Sequence, residues 1–579
     1  MTGLVPGALA SPALDAALAT WERHPRPGLP QGEYALSRLA GRTRHGIYRV
    51  ADGSVVVEPE RHVLRMTPSP DGRRIAVEVA ERADENAVLG IVDTTSSELR
   101  LHPGIRCRYD PVRWHADSAA LDVVASGSGR FVTLDVSSGA RRESSVPAGT
   151  RVRIFPGGAA GLLAESRPGE PTRLVDRATG RPLGAFPGVV RVLPLAAGVV
   201  VDDGIGVLAL DPSDGRELWR WSDAAVRVTD LAATGERVLV AGVRAGRSVL
   251  VLLDHGRAIA DRTVAHDGEP AVASGVSATG TDFLVRLEGP ALPPRIVHAA
   301  ELLGAPGPAR RSPVRTETVS VAAGDGTSID VVVTSPAGAV GPLPLLLTCY
   351  GGFGVPSLPV FEPTVPAWAE QGGRYAIAQI RGGGEHGPAW REAGRGANKW
   401  RGIADLAAAA RGLVAAGLTR PDLLVLAGAS HGGVVVASCA LGAPGLCAGV
   451  VCTAAPLDLL ALDAHPLGAR WAGEFGDPGT PAGRDALRAI SPLDRAERLP
   501  PGAAPPAFLG IVLGEDSRVA PDDTVRLVAA LRRAGGDAEI WRAPRTGHGG
   551  NELDSLHLLG SAVLGFAERI TTTADREGR

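Results

Sequence analysis

Ser430, Asp516 and His548 are of the types that together activate a hydroxyl for attack on a carbonyl, and each follows a short strand-like run. Gly428-Ala429-Ser430-His431-Gly432 comes directly after the apolar segment 423–427, the strand-turn-helix setting that a G-x-S-x-G nucleophile elbow requires. Small residues suit such a turn because strand and helix pass close together there, and Gly433 extends the clearance. A chain with 75 glycines repeats this pattern by chance, so its partners decide the reading. The apolar run 508–513 leads into Gly514-Glu515-Asp516-Ser517-Arg518, and 539–542 leads into Gly547-His548-Gly549-Gly550. Functional groups gather beyond the carboxyl ends of strands in open α/β sheets, and Ser, Asp, His is the chain order of an α/β-hydrolase triad. In such a triad His548 takes the serine proton and returns it to the leaving group, while Asp516 orients the imidazole and stabilises its cation. Glu515 is the rival acid and His557 the rival base, the latter on an expected helix. The backbone N–H of His431 is one oxyanion donor by elbow geometry; the second is expected from the loop Cys349-Tyr350-Gly351-Gly352-Phe353-Gly354.

The elements that must position these residues fall into two textures. From about 45 to 305 short β-runs alternate with Asp or Gly/Ser turns, with no convincing amphipathic helix. Asp52, Asp93, Asp135, Asp176, Asp211 and Asp254 recur at intervals of about 40 residues, and His298 falls one step further on, a spacing that suits four-stranded blades. Seven positions predict an all-β propeller of seven blades; a pair of β-sandwiches is the alternative. Strands are expected at 74–79, 120–124 and 237–241. The Pro/Arg-rich stretch near 306–315 reads as a linker. Beyond it, a β-hairpin over 316–334 turns at Gly324-Asp325-Gly326, strands follow at 343–348 and 375–380, and a helix spans 403–416 ahead of the elbow strand. Strands alternating with Ala-rich helices predict an α/β-hydrolase catalytic domain. The expected domains are an N-terminal segment 1–45 packed on the catalytic domain, with a helix near 10–21; a propeller, 46–305; a linker, 306–315; and the catalytic domain, 316–579.

Length of 579 residues favours more than one core. A hydrophobic fraction of 44%, 21% charge and a net charge of -3 describe an ordinary globular chain with no field to attract nucleic acid or an anionic membrane. The N-terminus lacks an export-signal pattern and no long apolar run follows, so a cytoplasmic location without membrane contact is expected. Cys107, Cys349, Cys439, Cys447 and Cys452 lack paired spacing and read as reduced, buried thiols. Histidines are scattered and no phosphate-loop pattern occurs, so no metal and no organic cofactor is expected. Of 60 basic residues only Lys399 is a lysine, and it adjoins Asn398, one of three asparagines. In so Arg-rich a chain this pair marks a local structural role.

Tyr350-Gly351-Gly352-Phe353-Gly354, Arg381-Gly382-Gly383-Gly384-Glu385-His386-Gly387, Ala397-Asn398-Lys399, Gly428 to Gly433, Asp516-Ser517-Arg518-Val519 and Gly547-His548-Gly549 resemble, in order and spacing, the catalytic domain of the prolyl oligopeptidase family of serine peptidases. The resemblance is dense over about 316–570; the propeller region is similar in type and place only, and shorter than is usual in the family. It implies that Tyr350 donates its hydroxyl to the oxyanion, that Arg518 binds a substrate carbonyl, and that Trp471 stacks on a proline ring. Phe353, Phe475 and Val519 would complete an apolar pocket. Three residues depart from the family pattern: His431 replaces Asn, Ala429 replaces Gly, and Pro456 replaces a small aliphatic residue. His431 is expected to put an ionisable ring at the pocket edge, altering proline preference or pH dependence. The implied activity is cleavage of short peptides after proline, with the propeller restricting access. A precursor-processing peptidase or macrocyclase is the alternative, and a non-catalytic propeller scaffold a remote one. Relatives selective for basic residues need pocket carboxylates where Trp471 and Phe475 stand.

Overall fold

The computed structural model describes residues 10–577 except 84–86, 108–111, 126–129, 157–160, 305–311 and 550–551, with side chains at all of these but 469–470 and 573–577. Seven antiparallel sheets of three or four strands run from Tyr34 to His298 and form a seven-bladed propeller, with a two-stranded pair, Ala265–His266 and Glu269–Pro270, between the sixth and the seventh. The repeating aspartates occupy one structural place. Asp93 Oδ1 accepts the N–H groups of Thr95 and Ser96 at 2.9 Å each, Asp135 those of Ser137 and Ser138, and Asp176 and Asp211 those of Thr179 and Ser213. Each closes the turn between the third and fourth strands of its blade, the local bond that makes Asp a turn residue. Asp52 does the same for Ser54 in a first sheet of three strands, aligned with the second to fourth of the others. His298 ends the third strand of the last sheet and leads into the helix Ala299–Leu303. An expected boundary at 46 divides the first sheet, because Tyr34–Ser37 pairs antiparallel with Gly46–Arg49 across an Arg- and Gly-rich loop that reads as a domain edge. Most of the expected linker lies outside the described residues.

The catalytic domain is built on β1 (Val314–Ala322), β2 (Ser328–Pro336), β3 (Leu345–Cys349), β4 (Arg374–Ala378), β5 (Leu424–Ala429), β6 (Gly449–Thr453), β7 (Ala507–Leu513) and β8 (Ala538–Ala543), in the sheet order β1-β2-β4-β3-β5-β6-β7-β8. The first two ladders are antiparallel and the rest parallel. This is the α/β-hydrolase half of the expected fold. β6 carries no sequence expectation, its five residues lying in a stretch rich in Ala, Gly and Cys. Apolar side chains on successive residues of β3 and β5 enter two different cores: Leu345, Leu347, Leu424 and Leu426 pack on one face, Leu346 and Val425 on the other. Burial on both faces explains why these strands are unbroken apolar runs.

The helix Pro12–Glu22 buries Leu14 and Leu18 in the second of these cores, against the helices Thr364–Glu370 and Leu553–Glu577. His557, the rival base, is spent there: its ring bonds Glu22 at 2.6 Å and lies 3.3 Å from Asp15. Glu515, the rival acid, accepts the N–H of Ala83 from the propeller at 3.0 Å. Further contacts across the seam include Arg44 with Glu552 at 2.6 Å and Gln379 Nε2 donating to the Gly246 carbonyl at 2.9 Å. All five cysteines are buried and unpaired, and no described helix is long and apolar enough to cross a membrane.

Candidate active site

β5 ends in the elbow. Ser430 has φ 53° and ψ -122°, a left-handed conformation that a non-glycine residue adopts only where its surroundings enforce it. Its N–H donates to the Thr453 carbonyl at 2.8 Å, so β6 clamps the turn from one side. A Cβ on Gly428 would meet the Gly432 carbonyl at 2.4 Å, and one on Gly432 would meet the Cys349 carbonyl at 2.4 Å. Ala429 is exposed, which is why the sequence tolerates a methyl there. The helix His431–Gly442 leaves directly from the serine, presenting its N-terminus beside the nucleophile.

The loops after β7 and β8 bring Asp516 and His548 together. His548 Nδ1–H donates to Asp516 Oδ2 at 2.9 Å, while the N–H groups of Arg518 and Val519 donate to Asp516 Oδ1 at 2.8 and 3.0 Å. Burial alone would raise the Asp516 carboxyl. The hydrogen bond and charge of His548, with the two backbone donors, outweigh it and hold the acid below its ordinary range. Asp516 is therefore fixed as an acceptor. With Nδ1 committed, Nε2 is the nitrogen of His548 left to exchange a proton.

Tyr350 follows β3. Burial raises its phenol above the usual range, against the pull of the Ser430 hydroxyl and of the nearby Arg518 charge, so it stays a proton donor. The loop after it turns back through Gly351, Phe353 and Gly354, all at positive φ. Phe353 and Phe475 meet edge to face at 6.4 Å, and Trp471 lies four residues before Phe475 on the helix Gly468–Phe475. Phe475 and Val519 are buried walls, whereas Phe353, Trp471 and Arg518 remain partly open. Trp471 rests 5.6 Å from the ring of His465. Pro456 is buried, three residues beyond the end of β6.

One expectation is overturned. The ring of His431 is 1% exposed, covers Gly352, and stacks within 5.1 to 5.8 Å of Tyr350, Phe353 and Phe475. Nδ1–H donates to the Tyr350 carbonyl at 2.7 Å. Desolvation, followed by the Lys399 charge, holds its pKa well below the ordinary value, so it is neutral and contributes no titration near neutral pH. The side chain braces the Tyr350 loop from beneath instead of lining an open edge.

Two features were given no role in the reading of the motifs. A cavity of about 820 Å³ reaches Ala429, Thr453 and Gly549, residues next to or packed on the elbow and the His548 loop, and is lined beyond them by Arg26, His45 and Glu362. These residues lie far apart in sequence, and only docking of the N-terminal segment and the first blades joins them. Glu385 is the second: 1% exposed, it accepts the Ser357 N–H at 2.6 Å through Oε1 while Oε2 has no hydrogen-bond partner. Burial pushes its carboxyl up to about 7. Among the described residues no cluster of His, Cys, Asp and Glu is arranged to hold a metal ion.

Residues 359–572 match the model described as the prolyl oligopeptidase family. Prolyl oligopeptidase ophP of Omphalotus olearius is 35% identical over 264 residues, 45% of this chain and 34% of that protein. A prolyl endopeptidase of Elizabethkingia miricola is 30% identical over 259 residues, 44% of this chain and 36% of that one. The matched stretch thus spans about a third of these relatives' own length. A solved prolyl endopeptidase has the same fold over 97% of this chain and 92% of its own, with a TM-score of 0.82 at 20% identity.

Proposed function

We propose that this chain is a serine endopeptidase that hydrolyses short peptides on the carboxyl side of proline. What supports the reading is that Tyr350, the strained Ser430, Asp516 and the His548 bonded to it each follow a parallel strand of one sheet and so lie along its carboxyl edge. In this mechanism Ser430 Oγ attacks the carbonyl carbon as His548 Nε2 removes its proton. The oxygen of the tetrahedral intermediate is held by the Tyr350 hydroxyl and the His431 N–H. His548 then protonates the departing amine, leaving an acyl-enzyme that water hydrolyses by the reverse proton path. Arg518 holds a substrate carbonyl, and Trp471, Phe353, Phe475 and Val519 surround the proline ring, a rigid side chain without a donor that an apolar aromatic pocket suits. The propeller docks on the catalytic domain through Ala83 and Gly246 and limits substrates to short peptides.

The test is hydrolysis of chromogenic peptides carrying Pro, Ala or Arg at the acyl position, together with labelling by a fluorophosphonate probe, on wild type and Ser430→Ala. Wild type is expected to label and to favour proline; Ser430→Ala is expected to lose labelling and about 10⁴-fold or more of turnover. Absence of turnover on all three peptides, with Ser430 unlabelled in folded protein, would refute the peptidase reading.

A further inference from the structure

The single lysine of the chain is buried directly behind the aromatic pocket. Lys399 is 2% exposed, and its Nζ donates to Glu474 Oε1, on a residue itself 3% exposed. Nζ also lies 5.6 Å from the centroid of the Phe475 ring. Glu474 stands between Gly473 and Phe475 on the helix Gly468–Phe475, and its Oε2 has no hydrogen-bond partner. The burial of that carboxylate therefore depends on the ammonium. Arg395, four residues before Lys399, donates from Nε to the Gly473 carbonyl, so the same segment grips the helix twice. From Phe475 the packing continues to His431 at 5.1 Å and Phe353 at 6.4 Å, and from His431 to Tyr350 at 5.5 Å.

Elsewhere this sequence uses arginine wherever it needs a cation. An arginine here would bring a larger planar group and five N–H donors into a space that offers one carboxylate and an aromatic face. A compact ammonium fits between Glu474 and the Phe475 ring, and can gain from both a charge-assisted bond and the ring quadrupole. The retention of lysine at this one position has a physical reason in that geometry.

We propose that Lys399 is the positioning residue of the specificity pocket: through its ion pair with Glu474 under Phe475, it fixes the helix that carries Trp471 and Phe475 against the acyl-side residue of the substrate. This rests on the peptidase reading above, but it concerns the pocket and not the triad, so the two are separable by experiment. Lys399→Arg, Lys399→Met and the double variant Lys399→Met/Glu474→Met are compared with wild type in two assays. One is the rate of Ser430 labelling by a fluorophosphonate, which needs the triad and oxyanion donors. The other is kcat and KM on peptides differing only at the acyl position.

The expected result is labelling within about threefold of wild type for all three variants, with KM for the preferred peptide raised about tenfold in the single variants, kcat little changed, and preference over the Ala peptide reduced about tenfold. The double variant, which leaves no lone buried carboxylate, is expected to recover part of the loss. Wild-type KM and preference in both single variants would overturn the proposal. So would a loss of labelling in step with turnover in all three variants, which would make Lys399 a residue of general folding. Should wild type label yet prefer an acyl residue other than proline, the proline reading fails and the Lys399 effect is read on that preferred residue.

Discussion

Two Asp–His pairs stand in the same domain, and they are used in opposite ways. In the first, His548 Nδ1 is bonded to Asp516 and the ring stays partly open at a strand end. In the second, His465 Nε2 is bonded to Asp523 Oδ2 at 3.0 Å, while Nδ1 accepts the Ala520 N–H at 3.1 Å. The same Asp523 oxygen also accepts the N–H groups of Leu457 and Asp458. Both carboxylates are held below their ordinary range because hydrogen bonds outweigh burial. What separates the pairs is the second ring nitrogen. His465, with both nitrogens satisfied inside the protein, is a brace under Trp471; His548, partly open and with Nδ1 alone committed, keeps a nitrogen for chemistry.

The largest contrast is expected from the histidines themselves. His548→Ala should lower kcat on peptides by about 10⁴-fold or more with the fold retained, whereas His465→Phe should leave Ser430 labelling within about tenfold. The cost of His465→Phe should appear instead as about 2–3 kcal/mol of stability in a urea melt, because Asp523 and the Ala520 N–H are left short of partners. Equal loss of labelling in both variants would erase the distinction. Next in size, Tyr350→Phe is expected to lower kcat by about 10- to 10³-fold with KM little changed, since the hydroxyl would act on the developing oxyanion; a pure KM effect would place the tyrosine in ground-state binding.

The smallest effect concerns a buried acid with no histidine at all. Glu385 has its folded pKa raised from 4.5 to about 7. Between those values the folded protein binds a proton that the unfolded chain has released, so stability present below pH 4.5 is lost as pH rises toward 7, by up to ~3 kcal/mol. Asp516 and Asp523, shifted downward, act with the opposite slope: their contribution is present above the unfolded value of 3.8 and is lost as pH falls below it. Glu385→Gln should flatten the near-neutral slope in urea melts taken from pH 4.5 to 8 while leaving the acid limb unchanged. An unchanged near-neutral slope would show that Glu385 is not its source.

Much of this was legible from local pattern. The aspartate turns mark the blades because an Asx turn is a bond between a side chain and its own next residues, independent of the rest of the fold. The elbow and β7 are legible because each is an apolar run followed by a small or polar loop, and β8 because the short run Glu539-Ile540-Trp541-Arg542 precedes one. β6 was not, being short and made of small residues. The true propeller edge was hidden because Tyr34–Ser37 finds its partner only across a loop.

For the site, residue type and order in the sequence were enough to propose Ser430, Asp516 and His548, since hydrolytic chemistry needs those groups at strand ends. Selection among rivals came from tertiary contacts: Glu515 is engaged by the propeller, and His557 by the N-terminal helix. The environment of His431 was likewise decided only there. Its sequence position supplies a backbone donor, but whether the imidazole meets water or three aromatic rings depends on how the Tyr350 loop and the helix Gly468–Phe475 close over it. Lys399 stood out by composition alone, yet the carboxylate it neutralises lies on another helix. Bond-forming types and their order are written in the chain; burial, and with it protonation and packing, exists only once distant segments exclude water together.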